Sequence, residues 1–155
     1  LVYGGAGGDA IDLGSSHNGQ TLVYKAASDS LIDTSADATK VKMDTVSNFT
    51  TTKDTIDVSS FGFTAAQKGA VVYDATTYAS LAKVMDAANA NAATWYNDAS
   101  ATARAVKVVT DGSHDYIFVD ANKDGQFNAS SDVVIKLAGL TAADASKVAL
   151  ADFAF

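Results

Sequence analysis

Cysteine and proline are both absent from these 155 residues, and so is glutamate: all 18 acidic residues are aspartates. Without cysteine there is no disulfide framework, no thiolate zinc site and no cysteine nucleophile. Glutamate is a good helix former, and its absence argues against an α-helical bundle. Aspartate is shorter; it suits turns and it ligates calcium in tight loops. Histidine is limited to His17 and His114. Positive charge is also short, 11 basic residues against 18 acidic, for a net charge of −7. That balance argues against a basic nucleic-acid or anionic-membrane footprint. No apolar run approaches the roughly 20 residues that would cross a bilayer.

What is present suffices for an ordered domain. Hydrophobic residues make up 48% and charged residues 19%, which places the chain among folding sequences. One domain of this length buries roughly 70% of the surface its unfolded chain exposes. The sequence starts at Leu1, with no basic segment or signal-peptide stretch. It reads as a piece of a longer chain, and an exported parent would need another address.

Gly4 to Asp12 fits the nine-residue calcium β-roll repeat G-G-x-G-x-D-x-U-x at every specified position. Gly4, Gly5 and Gly7 take the glycine positions, Asp9 the ligand position and Ile11 the apolar one. Glycines permit the tight turn and leave carbonyls free to face a cation. Leu1–Tyr3 is then the strand of a preceding turn. Nine residues on, Asn18 falls in step with Asp9, in a degenerate last turn where Leu13, Gly14, Ser15 and Ser16 replace the glycine run. The alternative is a glycine-rich loop with an incidental aspartate.

Thr21–Lys25, Val41–Phe49 and Thr55–Val58 are expected to be short strands, with a polar stretch from Ala26 to Lys40. Thr21-Leu22-Val23-Tyr24-Lys25-Ala26-Ala27-Ser28-Asp29-Ser30 resembles the "TFVYSSxxDS" of a known family. Asp44-Thr45-Val46-Ser47-Asn48-Phe49, then Asp54-Thr55-Ile56-Asp57-Val58-Ser59-Ser60-Phe61-Gly62-Phe63, resemble its "DxIxDFxxxxDxIDLSxxGF". That family is the C-terminal calcium module of the serralysins and their relatives, exported proteins of the calcium-repeat (RTX) superfamily. Asn48 stands where the family has aspartate. Asp29, Asp44 and Asp57 are candidate ligands or, alternatively, caps of turns between short strands.

Residues 64–103 do not match the family and look like an insertion. Tyr78, Leu81, Ala82, Met85, Ala88 and Ala92 follow the i, i+3, i+4, i+7 rule, so an amphipathic helix is expected over Thr77–Ala93. Trp95 and Tyr96 either pack beneath its end or form an exposed aromatic contact.

Further on, Ala105–Thr110, an Asp111-Gly112 turn and Tyr116–Val119 read as a hairpin. The loop Asp120–Asp132 opens as D-x-N-x-D-G, the start of an EF-hand-type calcium loop. Oxygens of Asp120, Asn122 and Asp124 can converge on one ion. Gly125 makes the bend, Gln126 offers a carbonyl, and Asn128 acts through water. Position 12 is Ser131, with Asp132 one place later, and the flanks read as strands rather than helices. The alternative is an acidic loop that binds nothing. The following Asp132-Val133-Val134-Ile135-Lys136-Leu137-Ala138-Gly139 resembles the family's "DxxIxLxG". The tail Asp152, Phe153, Ala154 and Phe155 resembles the acidic-plus-three-apolar ending of a type I secretion signal; the alternative is a final strand that fills the core.

No H-E-x-x-H helix, phosphate loop or dinucleotide fingerprint occurs, and neither histidine has an evident triad context. The expectation is a mainly β fold: the end of a parallel β-roll (1–63), a helical insertion (64–103), and a hairpin, calcium loop and tail (104–155) in a small β-sandwich-like cap. The expected role is calcium binding and folding outside the cell, without catalysis, in a surface-layer or adhesin protein. An accessory module of a secreted enzyme is the competing class. Implied partners are Ca2+ and the type I secretion machinery. Self-association or a surface glycan is weaker, with Trp95, Tyr96 and Tyr116 as a glycan platform. Asp124→Ala is expected to weaken calcium binding more than Asp98→Ala.

Overall fold

The computed structural model describes residues 1–15, 18–32, 42–140 and 148–155. Ser16, His17 and residues 33–41, which include the end of the expected polar stretch and the start of a strand, lie outside the described residues.

Four short strands come first: β1 (Ala10–Asp12), β2 (Thr21–Val23), β3 (Asp44–Ser47) and β4 (Thr55–Asp57). They alternate between two sheets. β1 pairs in parallel with β3, and β2 in parallel with β4. The last strands, β8 (Val133–Ala138) and β9 (Phe153–Ala154), resume the alternation, with β8 parallel to β3 and β9 parallel to β4. The chain thus winds through three coils, each giving one strand to each sheet. Val2 forms a parallel bridge with Leu22 on the free edge of β2, the place where the strand of a preceding coil was expected.

Register explains the core of the coil. Ile11, Val46 and Leu137 align across one sheet, and Leu22, Ile56 and Phe153 across the other. All belong to, or pack against, one hydrophobic cluster. Fully burying each such side chain contributes about 1.5–3 kcal/mol.

Between β4 and β8 the chain leaves the coil. A short helix α1 (Ala65–Lys68) opens with Thr64 Oγ1 accepting from the Gln67 N–H. Then follow β5 (Val71–Thr77), helix α2 (Leu81–Ala90), β6 (Val106–Thr110) and β7 (His114–Val119). These strands extend the first sheet to the order β1-β3-β8-β7-β6-β5, with β7 antiparallel to both neighbours. The second face of the extended sheet carries its own core. Ile117, Val119, Val133 and Ile135 face the coil, while Tyr116, Phe118 and Val134 join Val84, Ala88, Trp95, Tyr96 and Phe127 on the other side. Burial on both faces is why β7 and β8 read as continuous apolar runs.

The helix differs from expectation. It is shorter than Thr77–Ala93: Ser80 caps its first turn through the Lys83 N–H, and Thr77 ends β5 instead. The β-branched run that precedes it pairs in parallel with β6, a strand that local periodicity does not reveal. Val84 takes the buried position on the inner face, and Ala82 is exposed. Trp95, Tyr96 and Tyr116 are no more than 2% exposed. Packing beneath the helix end is therefore correct, and these rings form no exposed glycan platform.

Candidate metal centre

Five of the buried aspartates fall into two groups. One group ties coil to coil. Asp44 Oδ1 accepts the Asp9 N–H at 2.8 Å, Asp54 Oδ1 accepts from Gln20 at 2.8 Å, and Asp152 Oδ1 accepts from Thr52 at 2.6 Å. Each second oxygen is also engaged: Asp44 by the Tyr24 hydroxyl, Asp54 by the Thr50 N–H and Asp152 by the Ala149 N–H. Such charge-assisted bonds offset the cost of desolvating a carboxylate. They also explain the use of aspartate alone: the side chain has to reach only the backbone of the neighbouring coil. Asp29 accepts from Lys25 and Ala26, and Asp57 from Ser59, so both cap turns as the alternative reading held. Asn48 sits in the left-handed region (φ 61°) and donates to Asp12 at 2.6 Å. An aspartate there could not donate and would repel Asp12.

The second group lies in the loop between β7 and β8. Asp120 and Asp132 are fully buried at its two ends. Asp120 Oδ2 accepts from the Gly125 N–H at 2.9 Å, with Gly125 at φ 76° supplying the expected bend. Asp132 Oδ2 accepts from the Asn128 N–H at 2.9 Å and from the Tyr96 hydroxyl at 3.0 Å. The other oxygen of each, Asp120 Oδ1 and Asp132 Oδ1, is buried with no hydrogen-bond partner among the described residues. Burial pushes Asp120 up to about 6, and the Asp124 charge adds to it. Burial pushes Asp132 up to about 7, with Asp120 and Asp124 both contributing. An orphaned buried carboxylate oxygen is costly, and here two of them share one loop with a third acid.

The exposed middle of the loop is held by its own side chains. Asn122 Nδ2 donates to Asp124 Oδ2 at 2.9 Å and to Ser131 Oγ at 3.1 Å. The Gln126 N–H donates to Asp124 Oδ1. Asn128 Oδ1 is occupied by the N–H and hydroxyl of Ser130, so that side chain caps a turn instead of facing the loop centre. Among the described residues, no three His or aspartate side chains stand close enough to hold a metal between them. The loop has the oxygen donors for a hard divalent cation, but Asn122 and Asp124 would have to turn inward to close around it.

The glycine turn is arranged differently from its sequence reading. Gly5 (φ 94°) and Gly7 (φ 115°) adopt the left-handed backbone the repeat needs. A Cβ at Gly4 would stand 2.7 Å from Asp9 Oδ2, and that oxygen too has no partner. Asn18, however, does not accompany Asp9. Asn18 is exposed ahead of β2, whereas Asp9 precedes β1 in the other sheet. Successive repeats cross between sheets, so the aspartate beside Asp9 comes from the next coil: Asp44, which burial raises to about 6. Step-of-nine register cannot show that neighbour, 35 residues away.

The tail is part of the fold. Asp152 is 1% exposed, Phe153 is buried, and Phe155 packs against Phe63 with ring centroids 6.0 Å apart. The expectation that Asp152–Phe155 is an address rather than a fold determinant is corrected in this respect: Asp152 is a coil-to-coil tie, and Phe153 and Ala154 form a strand. Asp98 is also more than a spare surface acid. It accepts from Ser100 and Thr102 and pairs with Arg104, so Asp98→Ala is a poor control.

No family model and no curated protein matches the chain. Among solved structures it is similar to the solution structure of the AlgE6R2 subunit from the Azotobacter vinelandii mannuronan C5-epimerase, at 20% identity and a TM-score of 0.45, over 97% of this chain and 67% of that one.

Proposed function

We propose that this chain is a calcium-dependent β-roll module of an exported bacterial protein, of the surface-layer or adhesin kind, without catalysis of its own. In this reading the Asp120–Asp132 loop takes a calcium ion. The observation that carries it is the pair of buried carboxylate oxygens, Asp120 Oδ1 and Asp132 Oδ1, that have no partner among the described residues. A divalent cation between them would replace repulsion by attraction in a site already desolvated. Turning the Asn122 amide over would free Asp124 Oδ2 from its donor, at the cost of the bond that Asn122 Oδ1 accepts from the Asp124 N–H. The glycine turn with Asp9 is the second proposed site, with Asp44 beside it in place of Asn18.

In this reading the described histidine, His114, is structural. His114 Nδ1 lies 3.3 Å from Asp111 Oδ2, which also accepts from the Tyr116 hydroxyl at the hairpin tip; that is a turn-capping arrangement. Export by a type I route, with Asp152–Phe155 contributing to the signal, rests on the resemblance of that segment alone. Calcium that binds only the native state stabilises it by RT ln(1 + [Ca]/Kd), about 2.7 kcal/mol at 100 Kd. A chain leaving a calcium-poor cytosol would therefore stay loose and would tighten outside.

Calorimetric titration tests the reading. The expected Kd is about 0.1–1 mM, the range of extracellular modules. Asp124→Ala should weaken binding by about tenfold or more. Asp86→Ala is the control, because Asp86 is an exposed helix residue paired with Lys83. No heat of calcium uptake at millimolar concentration would overturn the proposal.

A further inference from the structure

We propose that Tyr96 is a positioning residue of the ion loop: its buried hydroxyl holds one oxygen of Asp132 and thereby leaves the other to face the ion. The inference rests on the calcium reading above and adds to it a residue from outside the loop motif. Tyr96 is fully buried and donates to Asp132 Oδ2 at 3.0 Å. The same oxygen accepts the Asn128 N–H. With both donors on Oδ2, the carboxylate plane is fixed and Oδ1 is the atom left without a partner. A carboxylate held this way is preorganised, which is what a ligand on a short loop needs.

The segment that carries Tyr96 is fastened to the loop at other points. The Phe127 N–H donates to Ala92 O at 2.9 Å. The Trp95 ring lies 6.3 Å from that of Phe127 and 5.3 Å from that of Phe118. A Cβ at Gly125 would stand 2.9 Å from Ala103 Cβ, so the loop bend rests directly on this segment. Burial lifts the Tyr96 hydroxyl well above 10, and the charges of Asp132, Asp120 and Asp124 add to it. The hydroxyl therefore stays a proton donor and lies within the field of all three loop acids. Residues 64–103 are thus a wall of the ion site, although the calcium motif does not extend into them.

The test compares Tyr96→Phe with Tyr116→Phe. Both keep a buried ring and delete a hydroxyl that donates to an aspartate, since Tyr116 is equally buried and bonds Asp111 Oδ2 at 2.8 Å. Calcium is titrated by calorimetry and, in parallel, by the fluorescence of Trp95, the one tryptophan in the chain. Tyr96→Phe should bind about tenfold more weakly, or ~1.4 kcal/mol, while Tyr116→Phe stays within about twofold of the native chain. Near-UV circular dichroism without calcium verifies that both variants fold. If Tyr96→Phe does not fold, Tyr96→3-fluorotyrosine keeps the hydroxyl, and its fluorine resonance should move on calcium addition. Equal weakening in the two Phe variants, unchanged affinity in Tyr96→Phe, or a fluorine signal blind to calcium would overturn the proposal while the calcium reading stands. A native chain that takes up no calcium would remove both.

Discussion

Asp152→Ala is the perturbation that most sharply separates a structural tail from a dispensable one. The carboxylate is 1% exposed and accepts two backbone N–H groups, from Thr52 at 2.6 Å and Ala149 at 2.8 Å. Alanine leaves both donors without their acceptor, one in each of two successive coils. A hydrogen bond to a charged group contributes about 1.5–3 kcal/mol, so the loss is roughly 3–5 kcal/mol. For a chain of this size each kcal/mol moves Tm by about 2–4 °C, which puts the drop near 10 °C. Thermal unfolding followed by circular dichroism, with chelator present so that calcium does not intervene, measures it. Asp152→Asn retains one neutral acceptor and should lose about half as much. Asp86→Ala should stay within about 2 °C, as exposed ion pairs contribute little. A Tm for Asp152→Ala equal to that of Asp86→Ala would refute the reasoning.

Three further outcomes follow from the same geometry. Asp120 and Asp132 are raised to about 6 and about 7 against roughly 3.9 in an unfolded chain. A raised carboxyl penalises the native state fully above its folded pKa and not at all below its unfolded one. Calcium-free protein should therefore gain Tm as pH falls from about 8 to about 5. Asp74, Asp98 and Asp111 are held low and act below that window. Asp44, raised to about 6 as well, supplies part of the gain, so a Tm that declines across the window, or a gain undiminished in Asp120→Asn/Asp132→Asn, would contradict the assignment. Gly19→Ala should cost more than Gly5→Ala: both have positive φ, but only at Gly19 would the new Cβ meet a backbone atom, Lys53 O at 2.7 Å. The left-handed backbone alone costs about 1–2 kcal/mol, so equal Tm losses would show that this contact relaxes freely. Deleting Asp152–Phe155 should lower Tm and, on the proposed export reading, the secreted fraction; unchanged secretion would place the export signal elsewhere.

The local parts of this structure were legible in the sequence. β7 and β8 announce themselves as apolar runs, Asp111-Gly112 as a turn, and Asp120–Gly125 as a bent acidic loop, because each signal lies within one short window. The parts that depend on distant partners were not. β5 looks like the approach to a helix until β6, some 30 residues later, pairs with it. Counting along the chain pairs Asp9 with Asn18, whereas the coil brings it to Asp44. Nothing in the residue letters separates Asp54 and Asp152, whose two oxygens are both engaged, from Asp120 and Asp132, which each keep one orphaned. For Tyr96 the sequence leaves packing and an exposed contact open; its ring packs, and the partner of its hydroxyl lies 36 residues away in the loop.

The central claim is that one ion settles between Asp120 and Asp132. Residue-resolved amide NMR during a calcium titration tests it most directly, because it locates the ion as well as detecting it. The account predicts the largest shifts at Asn122–Asn128 and Asp132, with Tyr96 moving at the same calcium concentration. The Lys83–Asp86 turn of α2 should stay still. A titration that leaves Gly125, Gln126 and Asp132 unmoved at millimolar calcium, or that moves them no more than the residues around Asp86, would contradict it.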